Sequence, residues 1–313
     1  MEQKVNNISP VVVFVYSRPE HTKKMLSALS KNSLSECTDL IIYSDGAKSE
    51  KDKPGVYAVR QLIRKLTGFR SITIVEQEQN VGLAQNIIQG VTKVVKQYGR
   101  VIVLEDDIIT SPYFLKYMND ALDMYADIKE VASISGSSYP VTINNNLEST
   151  YLLRIPLCWG WATWDDRWRM FKKDINSVNL ISKDVKNYIN FDGAFNFFDQ
   201  ATLNAKGKLN TWFIFWYITL ASHKWLTLFP SKVMAKNIGY DGTGENCNGD
   251  DIYKDILIDN EPLELELKKD LTESYDYYLA HLHYFRKNQQ NFIYKIYSFV
   301  KKIVKKRCYG TSK

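Results

Sequence analysis

Short apolar runs recur through the first hundred residues, and each is closed by polar ones. Val11 to Tyr16 ends at Ser17-Arg18-Pro19, Leu40 to Tyr43 at Ser44-Asp45-Gly46, and Val101 to Leu104 at Glu105-Asp106-Asp107; Ile72 to Val75 is a further run. Nothing polar interrupts Val11 to Tyr16 or Val101 to Leu104, which predicts strands buried on both faces there. The stretches between follow a helical period. His21 to Asn32 carries Met25, Leu26 and Leu29 on one face, Val56 to Leu66 carries Val59, Leu62, Ile63 and Leu66, and Gly82 to Tyr98 carries Ile87, Ile88, Val91, Val94 and Val95 before Gly99 stops it. Another helix is expected from about Pro112 to Tyr125. This β-α alternation predicts an α/β fold with a doubly wound, mainly parallel sheet and right-handed crossovers.

The alternation breaks down after residue 130. Val131 to Ser135 and Tyr151 to Ile155 read as strands joined by a polar loop. Four tryptophans then fall within ten residues, Trp159-Gly160-Trp161-Ala162-Thr163-Trp164-Asp165-Asp166-Arg167-Trp168. A helix from Trp161 onward would bring Trp161, Trp164, Trp168 and Asp165 onto neighbouring faces. Such a cluster suits an aromatic plug in the core, or a carbohydrate subsite in which rings stack on sugar faces while Asp165 and Asp166 accept hydroxyl hydrogens. Thr211 to His223 reads as an aromatic helix, Leu226 to Phe229 as a strand, and the four-glycine stretch Asn237 to Asp251 as a loop, either a mobile lid or plain surface. Asn291 to Arg307 alternates apolar residues with lysines and predicts an amphipathic basic helix, suited to an anionic membrane surface or to docking on the body.

Composition narrows the function classes. The net charge of +6 is misleading, because nine Lys/Arg and no acid follow Asp276, leaving the body before them at −3. A nucleic-acid partner would call for positive charge across a folded surface, and none is expected. The cysteines Cys37, Cys158, Cys247 and Cys308 lack CxxC or Cys/His spacing, which argues for free thiols in a reducing compartment. No leader and no apolar run long enough to span a bilayer is visible, so a cytoplasmic protein is expected, peripheral at the inner face of the plasma membrane if the tail helix binds there. No GxGxxG follows the first strand and no GxxxxGK[ST] occurs, which removes the main support for dinucleotide oxidoreductases and P-loop enzymes.

The acids after the fourth strand are the principal chemical signal. Three adjacent carboxylates at the end of a buried strand repel one another, and a cation or a set of donors is the physical remedy. In open α/β sheets the ligand crevice lies beyond the carboxyl ends of the strands, where Arg18, Asp45 and the Glu105-Asp106-Asp107 triplet are expected.

Taken together, PVVVFVYSRPEH, LIIYSDGA, NVGLAQNII and VIVLEDDIITSPYFL resemble the nucleotide-sugar half of GT-A glycosyltransferases, in particular bacterial family-2-like sugar transferases of surface-polysaccharide clusters, with a more distant similarity to N-acetylglucosaminyltransferase I. WGWATW and TWFIFWY…NIGYDGTG resemble the acceptor half of the same group. The resemblance implies a GT-A fold with a nucleotide-sugar half (1–140), an acceptor half (141–270) and a C-terminal basic helical tail (271–313). It also implies that Asp107 ligates Mn2+ (or Mg2+), that Glu105 and Asp106 face the donor ribose and sugar, and that Arg18 and Asp45 hold the nucleobase end, with Asn80 and Gly82 in the same donor-binding set. Trp159, Trp161 and Trp212 are expected to meet a glycan or lipid-linked acceptor. The pattern departs after Trp212, where Phe213, Ile214 and Phe215 stand in place of the acid or charged residue common in relatives. An inverting reaction needs a carboxylate within hydrogen-bond reach of the acceptor hydroxyl. Asp199, Asp165, Asp166 and Asp241 are the candidates, with Asp199 first. Asn246, where relatives often have His, weakens a third metal ligand from that loop. The rival classes are a sugar nucleotidyltransferase and a non-catalytic glycan-binding or assembly protein.

Overall fold

The computed structural model describes residues 8–141, 143, 148–243 and 256–289. The far part of the glycine-rich loop and the basic helix expected over 291–307 lie outside the described residues. Four parallel strands form the first half of an eight-stranded sheet: β1 (Val11–Val15), β2 (Asp39–Ser44), β3 (Ser71–Glu76) and β4 (Arg100–Glu105). Their order is β3-β2-β1-β4, so the chain moves outward from β1 to β3 and then returns to β1's other side. That reversal is a topological switch point, and open sheets of this kind place their ligand crevice there, at the C-terminal ends of β1 and β4.

The strands alternate side chains between two cores. On one face, Val11, Val13, Val15, Ile102 and Leu104 pack with helices α1 (Pro19–Leu29), α2 (Lys53–Ile63) and, further along the chain, α4 (Phe114–Met124). On the other, Val12, Phe14, Val101 and Val103 pack with Ala84, Ile87, Val91, Val94 and Val95 of α3 (Leu83–Tyr98). The close approach of α3 depends on Gly90, where a Cβ would lie 2.7 Å from the Phe14 ring.

A two-residue turn after β4 leads into β5 (Ile108–Thr110), a strand absent from the sequence reading although its β-branched residues favour one. The sheet then continues past β4 as β8-β6-β9-β7, built from β6 (Val131–Ser135), β7 (Thr150–Leu153), β8 (Trp161–Trp164) and β9 (Leu226–Pro230). β8 runs antiparallel to β4 and β6, and β7 runs antiparallel to β9, so this half is mixed.

β8 replaces the helix expected from Trp161. Its period of two sends Trp161 to one face and Trp164 to the other, where the Trp164 indole N–H donates to the Leu122 carbonyl. Only α5 (Asp165–Trp168) follows as a single helical turn. Helices α6 (Lys183–Ile189), α7 (Asp199–Ala205) and α8 (Phe213–His223) come next, and strand β10 (Ala235–Asn237) pairs antiparallel with β5. No helix among the described residues is long and apolar enough to cross a membrane.

The last described helix, α9 (275–289), packs its buried His281 against Tyr139, Tyr151, Phe229 and Phe285. His281 Nδ1 lies 2.7 Å from the Tyr277 carbonyl, and its buried Nε2 has no partner. Burial pushes the imidazole pKa down to about 4, partly offset by that carbonyl. A His whose folded pKa is depressed resists a proton that the unfolded chain accepts, so stability falls as pH drops from about 6.5 toward 4. His281 is therefore expected to cost about 2 kcal/mol between pH 7 and pH 5. Thermal melts across that range should show a shallower acid slope for His281→Phe, and an unchanged slope would refute the assignment.

Candidate active site

The loops leaving β1 and β4 meet at the switch point. Pro19 starts α1 directly after Arg18, which fixes the direction in which the arginine leaves the strand. Its guanidinium reaches across to the turn after β4. Nε donates to Asp106 Oδ2 at 3.2 Å, Nη2 makes a short contact to Asp106 Oδ1, and Nη2 also donates to Asp107 Oδ2 at 2.8 Å. The remaining nitrogen, Nη1, is buried without a partner.

The electrostatics of this cluster are unbalanced toward negative charge. Burial opposes the Arg18 charge, but Asp106 and Asp107 outweigh it and hold the guanidinium above its ordinary pKa. Burial pushes the Asp106 carboxyl up to about 6 despite its bonds to Arg18. Glu105 is pushed up to about 8, first by burial and then by repulsion from Asp107 and Asp106. One arginine does not compensate three carboxylates, and the cluster keeps an excess of acid groups.

The glycine-rich segment covers this turn. β10 carries the chain past β5 with Asn237 opposite Ile108, and the Ile238 N–H donates to the Asp107 carbonyl at 2.9 Å. Gly239 follows, and a Cβ there would lie 2.2 Å from Asp107 Oδ2 and 3.1 Å from Arg18 Nη1. The glycine is required by proximity. Gly239→Ala is expected to displace Asp107 and Arg18 by an ångström or so and to weaken binding of any ligand they hold roughly 10- to 100-fold, the scale of such misplacements. The melting temperature should stay within a few degrees of the parent, and undiminished ligand affinity in the alanine variant would contradict the geometry.

Two further residues join the crevice. His21, in the first turn of α1, places Nε2 3.1 Å from Asp241 Oδ2, and Asp241 also accepts from the Thr243 N–H and hydroxyl. Hydrogen bonds from Thr243 hold the Asp241 carboxyl below the usual carboxylate range, with His21 and Arg18 adding to the effect. Trp159, just before β8, lies edge-on to Tyr240 of the same covering segment, with 6.1 Å between ring centres. Neither His21 nor Tyr240 was a candidate from sequence, and the His21–Asp241 pair spans too much chain for any local pattern to signal it.

The Asp45 carboxylate braces a loop. It accepts from the backbone N–H groups of Gly46, Val81 and Gly82 and from the Asn80 side chain, at 2.8 to 3.1 Å. Asp45, Asn80 and Gly82 are thus brought together, as one rigid corner at the ends of β2 and β3. Arg60 of α2 reinforces it through the Asp45 and Gln77 carbonyls. Arg18, expected beside Asp45, instead spends its donors on the acidic turn.

The other candidates are elsewhere. Because β8 runs antiparallel to β4, Trp164 pairs with Arg100 and the Asp165 N–H bonds to the Gly99 carbonyl. Asp165 and Asp166 therefore lie at the opposite end of the sheet from Glu105, about 17 Å away for five strand residues. Asp166 is engaged there by Lys129 and Arg167. Asp199 opens α7 in an exposed position, and its N–H bonds to the Asn196 carbonyl. Trp161 and Trp212 stack at 5.2 Å inside a cluster with Trp168 and Trp216, at 2 % and 4 % exposure. Rings packed against other indoles cannot also meet a sugar, so both leave the expected acceptor surface and belong to the core. Trp159 alone of the three lies on the carboxylate side.

Among the described residues no three His, Cys, Asp or Glu side chains converge as a ready-made metal cage. The donor set nonetheless suits a hard divalent ion that takes most of its ligands from phosphates and only one or two from carboxylates. Asp107 and the under-compensated Glu105 would hold it, while the orphan Arg18 Nη1 offers a buried N–H to an anionic oxygen.

Comparison with known proteins adds little. No protein-family model and no curated protein matches the chain. Among solved structures it is similar to the mannosyltransferase PcManGT from Pyrobaculum calidifontis in complex with GDP-Man and Mn2+, at 11 % identity over 68 % of each chain and a TM-score of 0.38. A likeness at that score carries no weight for function.

Proposed function

We propose that the chain is an inverting, metal-dependent glycosyltransferase of the GT-A kind, moving a sugar from a nucleotide-sugar donor, UDP-linked on the motif resemblance, to a glycan or lipid-linked acceptor in surface-polysaccharide or glycoconjugate synthesis. The observation that carries this reading is the meeting of Arg18 with Asp106 and Asp107 at the switch point between β1 and β4. A crevice there with a buried, unpartnered guanidinium N–H suits a diphosphate, and the excess carboxylates suit the cation that accompanies one. Two like charges at close range cost about 1 kcal/mol in water and about 4 near a protein surface, so a diphosphate could not bind beside these acids uncompensated.

In this reading residues 1–140 hold the donor, with the Asp45-Asn80-Gly82 corner bounding the nucleoside end, and residues 141–270 present the acceptor with Trp159 beside it. Asp241 replaces Asp199, Asp165 and Asp166 as the base, since it is the candidate on the segment that covers the acidic turn, beside His21. It takes the acceptor hydroxyl proton as that oxygen bonds to the anomeric carbon and the nucleoside diphosphate departs. A divalent ion, when bound, supplies Lewis acidity for the leaving diphosphate. The basic segment 291–307 would bring the enzyme to the inner membrane face, where a lipid-linked acceptor resides.

A thermal-shift panel of nucleotide-sugars with and without Mn2+ tests the proposal. At least one donor is expected to stabilise the full chain, and only with the metal present. No stabilisation by any donor would sink the reading. Glycan binding that survives chelation without donor turnover would favour an assembly protein, and pyrophosphate release from a nucleoside triphosphate would favour a nucleotidyltransferase.

A further inference from the structure

A separate cavity of about 340 Å³ lies beside α3, between that helix and the segment after β8. Its walls are Gln85, Ile88 and Thr92 from α3, with Trp168, Arg169, Phe171 and Lys173 facing them. None of its lining residues belongs to the acidic crevice. The size is at the small end of the range for ligand pockets, about 300 to 1,000 Å³.

Three properties of this lining fit together. First, it contains two cations and no carboxylate. Arg18, Arg60, Arg64, Arg70, Arg100, Arg154 and Arg167 all hold carboxylates, but Arg169 makes no ion pair among the described residues. Lys173, half-buried, meets the Asn210 amide oxygen and the Phe215 ring at 5.8 Å, but no acid. Burial lowers its pKa, as expected for an ammonium taken partly out of water without a counter-charge. Second, the Phe171 ring is backed face-to-face by Trp168, with 4.5 Å between centres and 2° between planes. The Trp168 indole N–H donates to Thr92 Oγ at 2.9 Å, so the apolar platform is held in one orientation. Third, the Thr92 hydroxyl retains its own proton to donate, and the exposed Gln85 amide offers both a donor and an acceptor on the same wall.

We propose that this cavity is a second binding site, taking one anionic monosaccharide unit whose ring lies on Phe171 and whose charged group sits between Arg169 and Lys173. The charge can come from a sugar carboxylate or a sugar phosphate, since both present oxygens to the two cations. The site does not depend on the glycosyltransferase reading. A glycosyltransferase could use it to hold an anionic acceptor residue, and a binding protein could use it as its primary site.

Isothermal titration of the full chain with glucuronate, glucose 1-phosphate, glucose and inorganic phosphate tests this. At least one of the two anionic sugars is expected to bind saturably, at least tenfold more tightly than glucose or inorganic phosphate. Which of the two binds identifies the source of the charge. The Arg169→Gln/Lys173→Gln double variant, altered at an exposed and a half-buried position, should lose at least tenfold of that affinity with an unchanged melting temperature. Binding should persist in Asp107→Asn, which separates this site from the acidic crevice. Absence of saturable binding, equal binding of glucose, or undiminished affinity in the double variant would each overturn the proposal. So would loss of binding in Asp107→Asn alone.

Discussion

Asp107→Asn is expected to lower release of nucleoside diphosphate from the correct donor by at least about 100-fold, which corresponds to about 2.7 kcal/mol of barrier. The substitution keeps the shape of the side chain and an oxygen that can still accept from Arg18 Nη2. What it removes is a charge. The folded protein should tolerate this well, because the lost carboxylate is one of the two whose repulsion adds to burial in pushing the Glu105 pKa up. A melting temperature equal to or above the parent's, together with lost turnover, is the expected pair of results; strained charge of this kind is held for function at the expense of stability. Retained turnover would show that the acidic turn is not where the donor's diphosphate is handled.

Trp161→Ala is expected to have the largest effect on stability. The Trp161 side chain is 2 % exposed and stacks or tilts against Trp168, Trp212 and Trp216 beneath the junction of β4 and β8. Removing it leaves an indole-sized void in a rigid ring cluster that cannot collapse easily. Losses for such truncations are about 3 to 5 kcal/mol. For a chain of this size the melting temperature should fall by roughly 10 °C, at about 2 to 4 °C per kcal/mol. Calorimetry would check it, and a drop of only a degree or two would mean that the ring lies free as a sugar platform after all.

The N-terminal half was legible from sequence because its central strands are buried on both faces, although the edge strand β3 is half-exposed. Val11–Val15 and Val101–Leu104 have no polar interruption, and the helices between them keep a clear period. The acidic turn was legible for the opposite reason, since three adjacent acids after such a strand have no packing role. β8 was misread because tryptophans at 161, 164 and 168 satisfy helical spacing, while a strand sends Trp161 and Trp164 to different cores. Strand direction is the more instructive loss. A residue just after a strand lies at one end of the sheet or the other according to the polarity of that strand. Nothing local announces that β8 runs against β4, so Asp165 was expected near a site that lies at the far end. The approach of His21 to Asp241, and of Gly239 to Asp107, depends on the β5–β10 pairing between segments far apart in the chain.

That pairing has a consequence for motion. The Ile238 N–H holds the carbonyl of Asp107 itself, and Asn237 is paired with Ile108 one residue further on. The cover over the crevice and the floor beneath it therefore share hydrogen bonds. Any movement that lifts residues 238 to 241 by a few ångströms must first release the backbone of the acidic turn. Lifting of the cover and reshaping of the carboxylates become a single event, and amide exchange at Ile238 would report on both at once.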